Sequence, residues 1–173
     1  MRVRGGVVTI GIPPFPAGCW LDDRSGPLAR LELNARIPWD VEVRGGASRL
    51  LADLNGLRLG SLELDGGASR LVLVLPAPAG SVTVAILGGA SNVAIRPPEG
   101  VAARLSVGGG ATNLEFDERH IGAAGGELDL RSRGYDGAAD RYDIAVTGGA
   151  NNLSVERQGR GSKRGANLDR EGE

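Results

Sequence analysis

Short segments of alternating apolar and polar residues recur along the chain. Leu62 and Leu64 alternate within SLELD, Val82 and Val84 within SVTVAIL, and Leu114 and Phe116 within TNLEF. A period of two places each pair on one face of a β-strand. ARLSV and YDIAV are equally short and rich in aliphatic or β-branched residues. Strand-sized segments are separated by breakers of two kinds. Asn55-Gly56, Pro76 to Gly80 and Pro97 to Gly100 form one set, and paired glycines form the other. The pattern predicts units of strand, turn, strand, turn.

The paired glycines belong to a repeat. GGASRL begins at Gly45 and again at Gly66, GGASNV at Gly88, GGATNL at Gly109 and GGANNL at Gly148, at spacings of 21, 22, 21 and 39. The last spacing is close to two periods, so one turn of the stack is expected to lack the motif. GGELDL at Gly125 falls in that gap, off phase. Upstream, VRGGVV around Gly5 resembles VRGGAS around Gly45, and SGPLARLEL from Ser25 reads as a degenerate copy. A period of this length points to a solenoid. Leucine-rich repeats share the length, but they need a longer return segment. The expected fold is all-β, a right-handed parallel β-solenoid (β-helix) with about 7–8 rungs of roughly 21 residues. Residues 1–38 would supply degenerate rungs or a cap, residues 39–156 the regular repeats, and residues 157–173 a disordered polar tail.

Each motif position has an expected place. Gly45, Gly46, Gly66, Gly67, Gly88, Gly89, Gly109, Gly110, Gly148 and Gly149 form the structural corners. Gly67→Val is expected to cost about 1 to 3 kcal/mol if φ there is positive. The alanine after each pair fits a small inward site. Leu50, Leu71, Val93, Leu114 and Leu153 form a core layer. Ser48, Ser69, Ser91, Thr112 and Asn151 line up in a polar row. Arg49, Arg70, Asn92, Asn113 and Asn152 line up in the next row, a possible interaction face. Stacked asparagines bond amide to amide along such a row. Arg49 and Arg70 would stand about 5 Å apart and repel unless Glu42, Glu63, Asp53, Asp65 or a partner neutralises them. Trp20 and Trp39 are expected to cover the core near an end or a corner.

Composition narrows the chemistry. Glycine supplies 29 of the 173 residues and aromatics only 3%, so the core must be aliphatic. The 20 basic and 21 acidic side chains nearly cancel, which argues against nucleic acid as the partner. Cys19 is the only cysteine and His120 the only histidine. A cysteine cluster for metal is thereby excluded, and nothing places Cys19 beside His120 as a nucleophile and base. Asp117, Glu118 and His120 read as surface residues at a strand end rather than a metal site. No phosphate-binding GxxxxGK[ST] motif occurs, and the scattered Asp53, Asp65 and Asp129 form no acid pair. No catalytic, cofactor or metal residue is therefore assigned. No run of 18 apolar residues crosses a membrane as a helix, and the N-terminus lacks the apolar stretch of a signal peptide. The cluster Arg157, Arg160, Lys163 and Arg164 reads as part of a solvated tail.

The stretch WDVEVRGGASRLLADLNGLRLGSLELDGGASRLVLVLP, followed by APAGSVTVAILGGASNVAI, resembles the C-terminal β-solenoid domain of LiaF-like, cell-wall-active-antibiotic-response proteins. It also resembles the related toast-rack and adhesin-type domains. The likeness rests on the succession of glycine corners, the leucine-proline turn and the RPPEGVAARL turn, and covers Trp39 to about Val155. It implies a parallel β-solenoid used as a scaffold or interaction surface, with no catalytic residues to carry over. Members commonly place membrane-spanning segments before the solenoid and are linked to envelope stress sensing. This chain shows no such segments.

The expected role is a non-catalytic structural or protein-interaction module, linked to the bacterial envelope stress response. The alternatives are a carbohydrate-binding or carbohydrate-active solenoid and a self-assembling scaffold. The expected partner is another protein or a second copy. A membrane is reached only through a partner or a segment outside this chain, and location stays open between cytoplasm and membrane surface.

Overall fold

A computed structural model describes residues 30–159 together with two short strands nearer the N-terminus, β1 (Arg2–Arg4) and β2 (Val7–Thr9). The chain divides into two units, Met1–Glu32 and Leu33–Glu173. In the first, β1 and β2 pair antiparallel with Val3 opposite Val8. The strands flanking the upstream VRGGVV copy therefore form a hairpin rather than stacked rungs. Cys19, Trp20 and most of the degenerate copy from Ser25 lie outside the described residues.

In the second unit the alternating segments are strands, as the pattern requires. They are β3 (Pro38–Arg44), β4 (Ala47–Asp53), β5 (Arg58–Asp65), β6 (Ala68–Val74), β7 (Ser81–Ile86), β8 (Ala90–Arg96), β9 (Ala102–Val107), β10 (Ala111–Phe116), β11 (Arg119–Ala124), β12 (Leu128–Arg131), β13 (Arg141–Val146) and β14 (Ala150–Val155). They build two six-stranded sheets, ordered β12-β9-β13-β7-β5-β3 and β11-β10-β14-β8-β6-β4. Each glycine corner carries the chain from the first sheet to the second. The Asn55-Gly56 turn and the Pro76 to Gly80 turn carry it back one level along, and the Pro97 to Gly100 turn carries it back two levels along. One 3-10 turn, Tyr135–Gly137, interrupts the loop before β13.

The inward residues of the two sheets meet in one aliphatic core. Leu62, Leu64, Val82, Val84, Leu114 and Phe116, the alternating pairs, are all at most 3% exposed. Of the expected layer, Leu71, Val93, Leu114 and Leu153 are buried, while Leu50 on the terminal strand β4 is half-buried. Ala68, Ala90, Ala111 and Ala150 are buried beside the corners, as small residues should be where the chain turns over the core. Trp39 is half-buried on the edge strand β3, with Nε1 donating to Asn34 O at 2.8 Å.

Two features depart from a simple sequential winding. First, β13 lies between β7 and β9, and β14 lies between β8 and β10, all parallel. The fifth motif copy is thus the fourth level of the stack. Second, the gap of 39 residues is not a plain rung lacking the motif. After Phe116 a two-residue turn reverses the chain, with Asp117 at φ 52, and β11 runs antiparallel to β10. β12, which holds the off-phase GGELDL segment, pairs antiparallel with β9. The sequence between Asp117 and Asp140 contains no motif glycine pair in phase, so nothing directs it into a parallel level.

The tail boundary also moves. Arg157 Nη2 reaches Asp117 at 3.0 Å, Gln158 N donates to Pro97 O at 3.0 Å, and Gln158 Nε2 donates to Leu75 O at 2.6 Å. These two residues bind the body of the stack. Arg160, Lys163 and Arg164 lie outside the described residues.

Candidate functional site

The motif builds two columns that run along the stack. The first is the backbone column of glycine corners. Ala68 N donates to Gly89 O, Ala90 N to Gly149 O and Ala150 N to Gly110 O, at 2.9, 3.0 and 2.9 Å. Successive corners are therefore hydrogen-bonded main chain to main chain. A Cβ on Gly66 would meet Gly46 N at 2.7 Å, and one on Gly88 would meet Gly66 C at 2.9 Å. Gly148 and Gly109 are equally close to their neighbours, at 2.8 and 2.6 Å. The first glycine of four of the five pairs is thus required because backbones touch there, whereas a Cβ on Gly45 would meet nothing within 4 Å and only its φ of 88 favours glycine. Gly67 is different: its φ lies outside the left-handed region and a Cβ would meet only Gly89 O, at 3.4 Å. The expected strain at Gly67 belongs instead to Gly66, whose φ is 123.

The second column is the set Arg49, Arg70, Asn92, Asn152 and Asn113, in that spatial order. All five have positive φ, 57, 53, 54, 56 and 49. Each also drops out of the strand register: Ser69 pairs with Ser91 and Leu71 with Val93, while Arg70 and Asn92 have no ladder partner. Each of the five motif levels therefore carries the same bulge, and the bulges stack. One extra residue separates the inward alanine from the inward Leu or Val, which re-aims the intervening side chains to solvent. Asn113 Nδ2 donates to Asn152 Oδ1 at 2.6 Å, and Asn152 Nδ2 donates to Asn92 Oδ1 at 2.7 Å. The adjacent row bonds similarly, Thr112 Oγ1 to Asn151 Oδ1 at 3.1 Å. The amide ladder exists because β14 is interposed. Of the acids expected beside Arg49 and Arg70, Glu42 bonds Arg44 and Asp53 accepts from Asn55 N at 3.1 Å. A shallow groove of about 590 Å³ follows the corners, with Ser91, Thr112 and Asn151 at its margin.

A third cluster lies on the outer face of the other sheet and was missed in the sequence. The loop holding Tyr135 folds over β9 and β13. The Tyr135 hydroxyl donates to Asp143, and Ser81 Oγ donates to the same carboxylate at 2.7 Å. Arg131 and Arg141 stand 5.7 and 5.2 Å from the Tyr135 ring centre. Arg104 grips Asp129 through two bonds, at 3.0 and 2.6 Å. Burial pushes the Asp143 carboxyl up, but the Tyr135 and Ser81 hydrogen bonds and the nearby arginines outweigh it and hold it below the usual range. The Arg104 hydrogen bonds hold Asp129 low. Burial and the Asp143 contact push Tyr135 up. Charges of both signs pair here, apart from the buried Arg141 Nε, which has no partner among the described residues, and the pairing makes the cluster a clamp on the loop. Its one sequence signal was RSRGYDG, a tyrosine in an aromatic-poor chain.

His120 is exposed and lies across from Glu115, 3.7 Å away. Among the described residues no group of three His, Cys, Asp or Glu is placed to hold a metal, and no helix is long and apolar enough to cross a membrane.

Comparison with known proteins agrees with this architecture. Residues 22–96 match the family model described as the N-terminal domain of toast_rack, DUF2154. The matched stretch takes in the first three copies of the glycine-corner motif, so that part of the β-rich repeat is similar to the toast-rack domain. Among solved structures it is similar to a "putative cell adhesion protein" from Clostridium sporogenes ATCC 15579, with a TM-score of 0.52 and 20% identity. The match covers 78% of this chain and 66% of that one, just under two thirds of its length. At that identity the likeness shows the fold. No curated protein matches the chain.

Proposed function

We propose that the chain is a non-catalytic interaction module whose binding face is the bulge column and its flanking polar row. The observation that carries this reading is the column itself: five outward side chains on a backbone fixed by stacked bulges. A surface already ordered loses little entropy on binding, which suits recognition of another protein. The amide ladder supports a rigid polar half, Asn92, Asn152 and Asn113. Arg49 and Arg70 form a cationic half that complements an acidic partner surface. The adhesion wording attached to the Clostridium sporogenes structure is in keeping with a protein-binding role. A role in envelope stress sensing and a right-handed winding belong to the same reading, with six levels among the described residues in place of the seven or eight expected. Among the described residues Phe116, Tyr135 and Tyr142 are buried and cannot stack on a sugar face, and only the half-buried Trp39 is left to do so, which disfavours the carbohydrate alternative.

The test is Arg49→Glu with Arg70→Glu, compared with wild type in affinity capture from an envelope fraction, with captured proteins identified. Partners held by wild type should be lost while the melting curve stays nearly unchanged. Retention of every partner by the folded double variant would eliminate this face.

A further inference from the structure

β13 and β14 occupy a slot with two matching walls. On one wall Ile144 is in register with Val84, and on the other with Leu105. In the second sheet Leu153 is in register with Val93 and with Leu114. Both walls are parallel strands of the same repeat, built from residues 81–96 and 102–116. They precede the insert in the chain, so each can form before residues 141–155 arrive. The slot then stands open, with unpaired edges on both sides.

We infer that this slot is a strand-exchange site, and that its second occupant is residues 141–155 of another copy of the chain. An identical segment reproduces the contacts that the insert makes with its two walls, including the Tyr142 hydroxyl bond to Pro76 O at 2.7 Å, and the following Gln158 brings its bonds to Leu75 O and Arg96 O, while the Tyr135 bond to Asp143 belongs to the connection. Only the connection from Arg131 to Arg141 differs between the two arrangements. That connection contains no strand and includes Gly134 at φ 78 and Gly137. Arg131 pairs opposite Arg104 and Arg141 opposite Ala102, so the loop's two ends lie at the same end of β9, one on each side of it. They are two strand spacings apart, about 10 Å. Nine residues cross that distance with slack, which is why the loop closes within one chain at low concentration.

Concentration during folding decides between the two occupants. A short connection gives the chain's own segment an effective concentration on the order of millimolar. Another copy competes only near that value. Once seated, the segment is held by Tyr142, Ile144, Val146, Leu153 and Val155, all at most 2% exposed, so exchange after folding is slow. The population set during folding therefore persists on dilution.

The experiment uses Ala94→Cys with Ser154→Cys in a Cys19→Ser background. Ala94 and Ser154 face each other across β8 and β14 on the outer surface, both half-buried. The protein is unfolded in urea and refolded at about 10 µM and at about 1 mM, then diluted equally and linked with a short bifunctional thiol reagent. On a denaturing gel, insertion within one chain gives a monomer and exchange gives a covalent dimer. Dimer should be nearly absent from the dilute refold and comparable with monomer in the concentrated one. Monomer alone at both concentrations would overturn the inference. Deleting residues 133–139 leaves too little chain to arch over β9, so that variant should be a dimer even when refolded dilute. A folded monomeric deletion variant would equally overturn it. If the deletion variant does not fold, the thiol experiment on the intact loop decides.

Discussion

Replacing Arg70 with asparagine should stabilise the protein. Arg70 holds φ 53, in the left-handed region where Cβ crowds the carbonyl that follows. That conformation costs an ordinary L-residue roughly 1–2 kcal/mol, and asparagine recovers a part of it through its short amide. One level away, Asn92 Oδ1 is taken by Asn152, and Asn92 Nδ2 makes only a 3.2 Å bond to Ser91 Oγ. An amide at position 70 gives that donor an acceptor in line with the ladder, worth about 0.5 kcal/mol for an exposed bond. The combined gain is about 1 kcal/mol, or about 2–4 °C in Tm for a domain of this size. Thermal unfolding followed by circular dichroism measures it. Arg70→Gln serves as control, because it removes the same charge yet has no left-handed preference, and it should leave Tm within about 1 °C of wild type. An equal rise in both variants would assign the effect to relief of repulsion from Arg49. A fall in the asparagine variant would refute the backbone argument.

At the corners, Gly66→Ala should lose about 2 kcal/mol or more, through positive φ and backbone contact, while Gly67→Ala should lose under about 1 kcal/mol. Urea midpoints of the two variants compare them directly. Tyr142→Phe should cost about 1–2 kcal/mol by leaving the buried Pro76 carbonyl without its donor, readable in the same assay. Asp143 is held below its ordinary value, so its contribution is present at neutral pH and is lost as pH falls below about 4. Asp143→Asn should therefore be less stable than wild type at pH 7 and converge with it in acid, as melting curves across pH will show.

The sheets and corners were legible because period-two alternation and glycine pairs are local signals. Leu62, Leu64, Val82 and Val84 point inward for that reason alone. The level order was not legible. GGANNL at Gly148 shares five of six letters with GGATNL at Gly109 and four with each other copy, and that difference does not say which two copies it lies between. The reversal at Asp117 was equally hidden, since a two-residue turn of Asp and Glu carries no glycine. For the candidate face, the residues were found but not the reason for their type. Asn at three of the five positions suits an amide ladder, and it also suits positive φ. Arg49 and Arg70 masked the second cause, because arginine has no preference for that conformation. The Tyr135 clamp depends on contacts between positions far apart in the chain, such as Ser81 with Asp143, which no local pattern announces.

The order of the levels underlies both the amide ladder and the slot, and nuclear Overhauser contacts between backbone protons of neighbouring strands test it most directly. In isotope-labelled protein, Ile144 should show cross-strand contacts to Val84 on one side and to Leu105 on the other, with none between Val84 and Leu105. Direct contacts between Val84 and Leu105, with Ile144 bordering only one of them, would contradict the interposed level and the continuous column from Asn92 through Asn152 to Asn113.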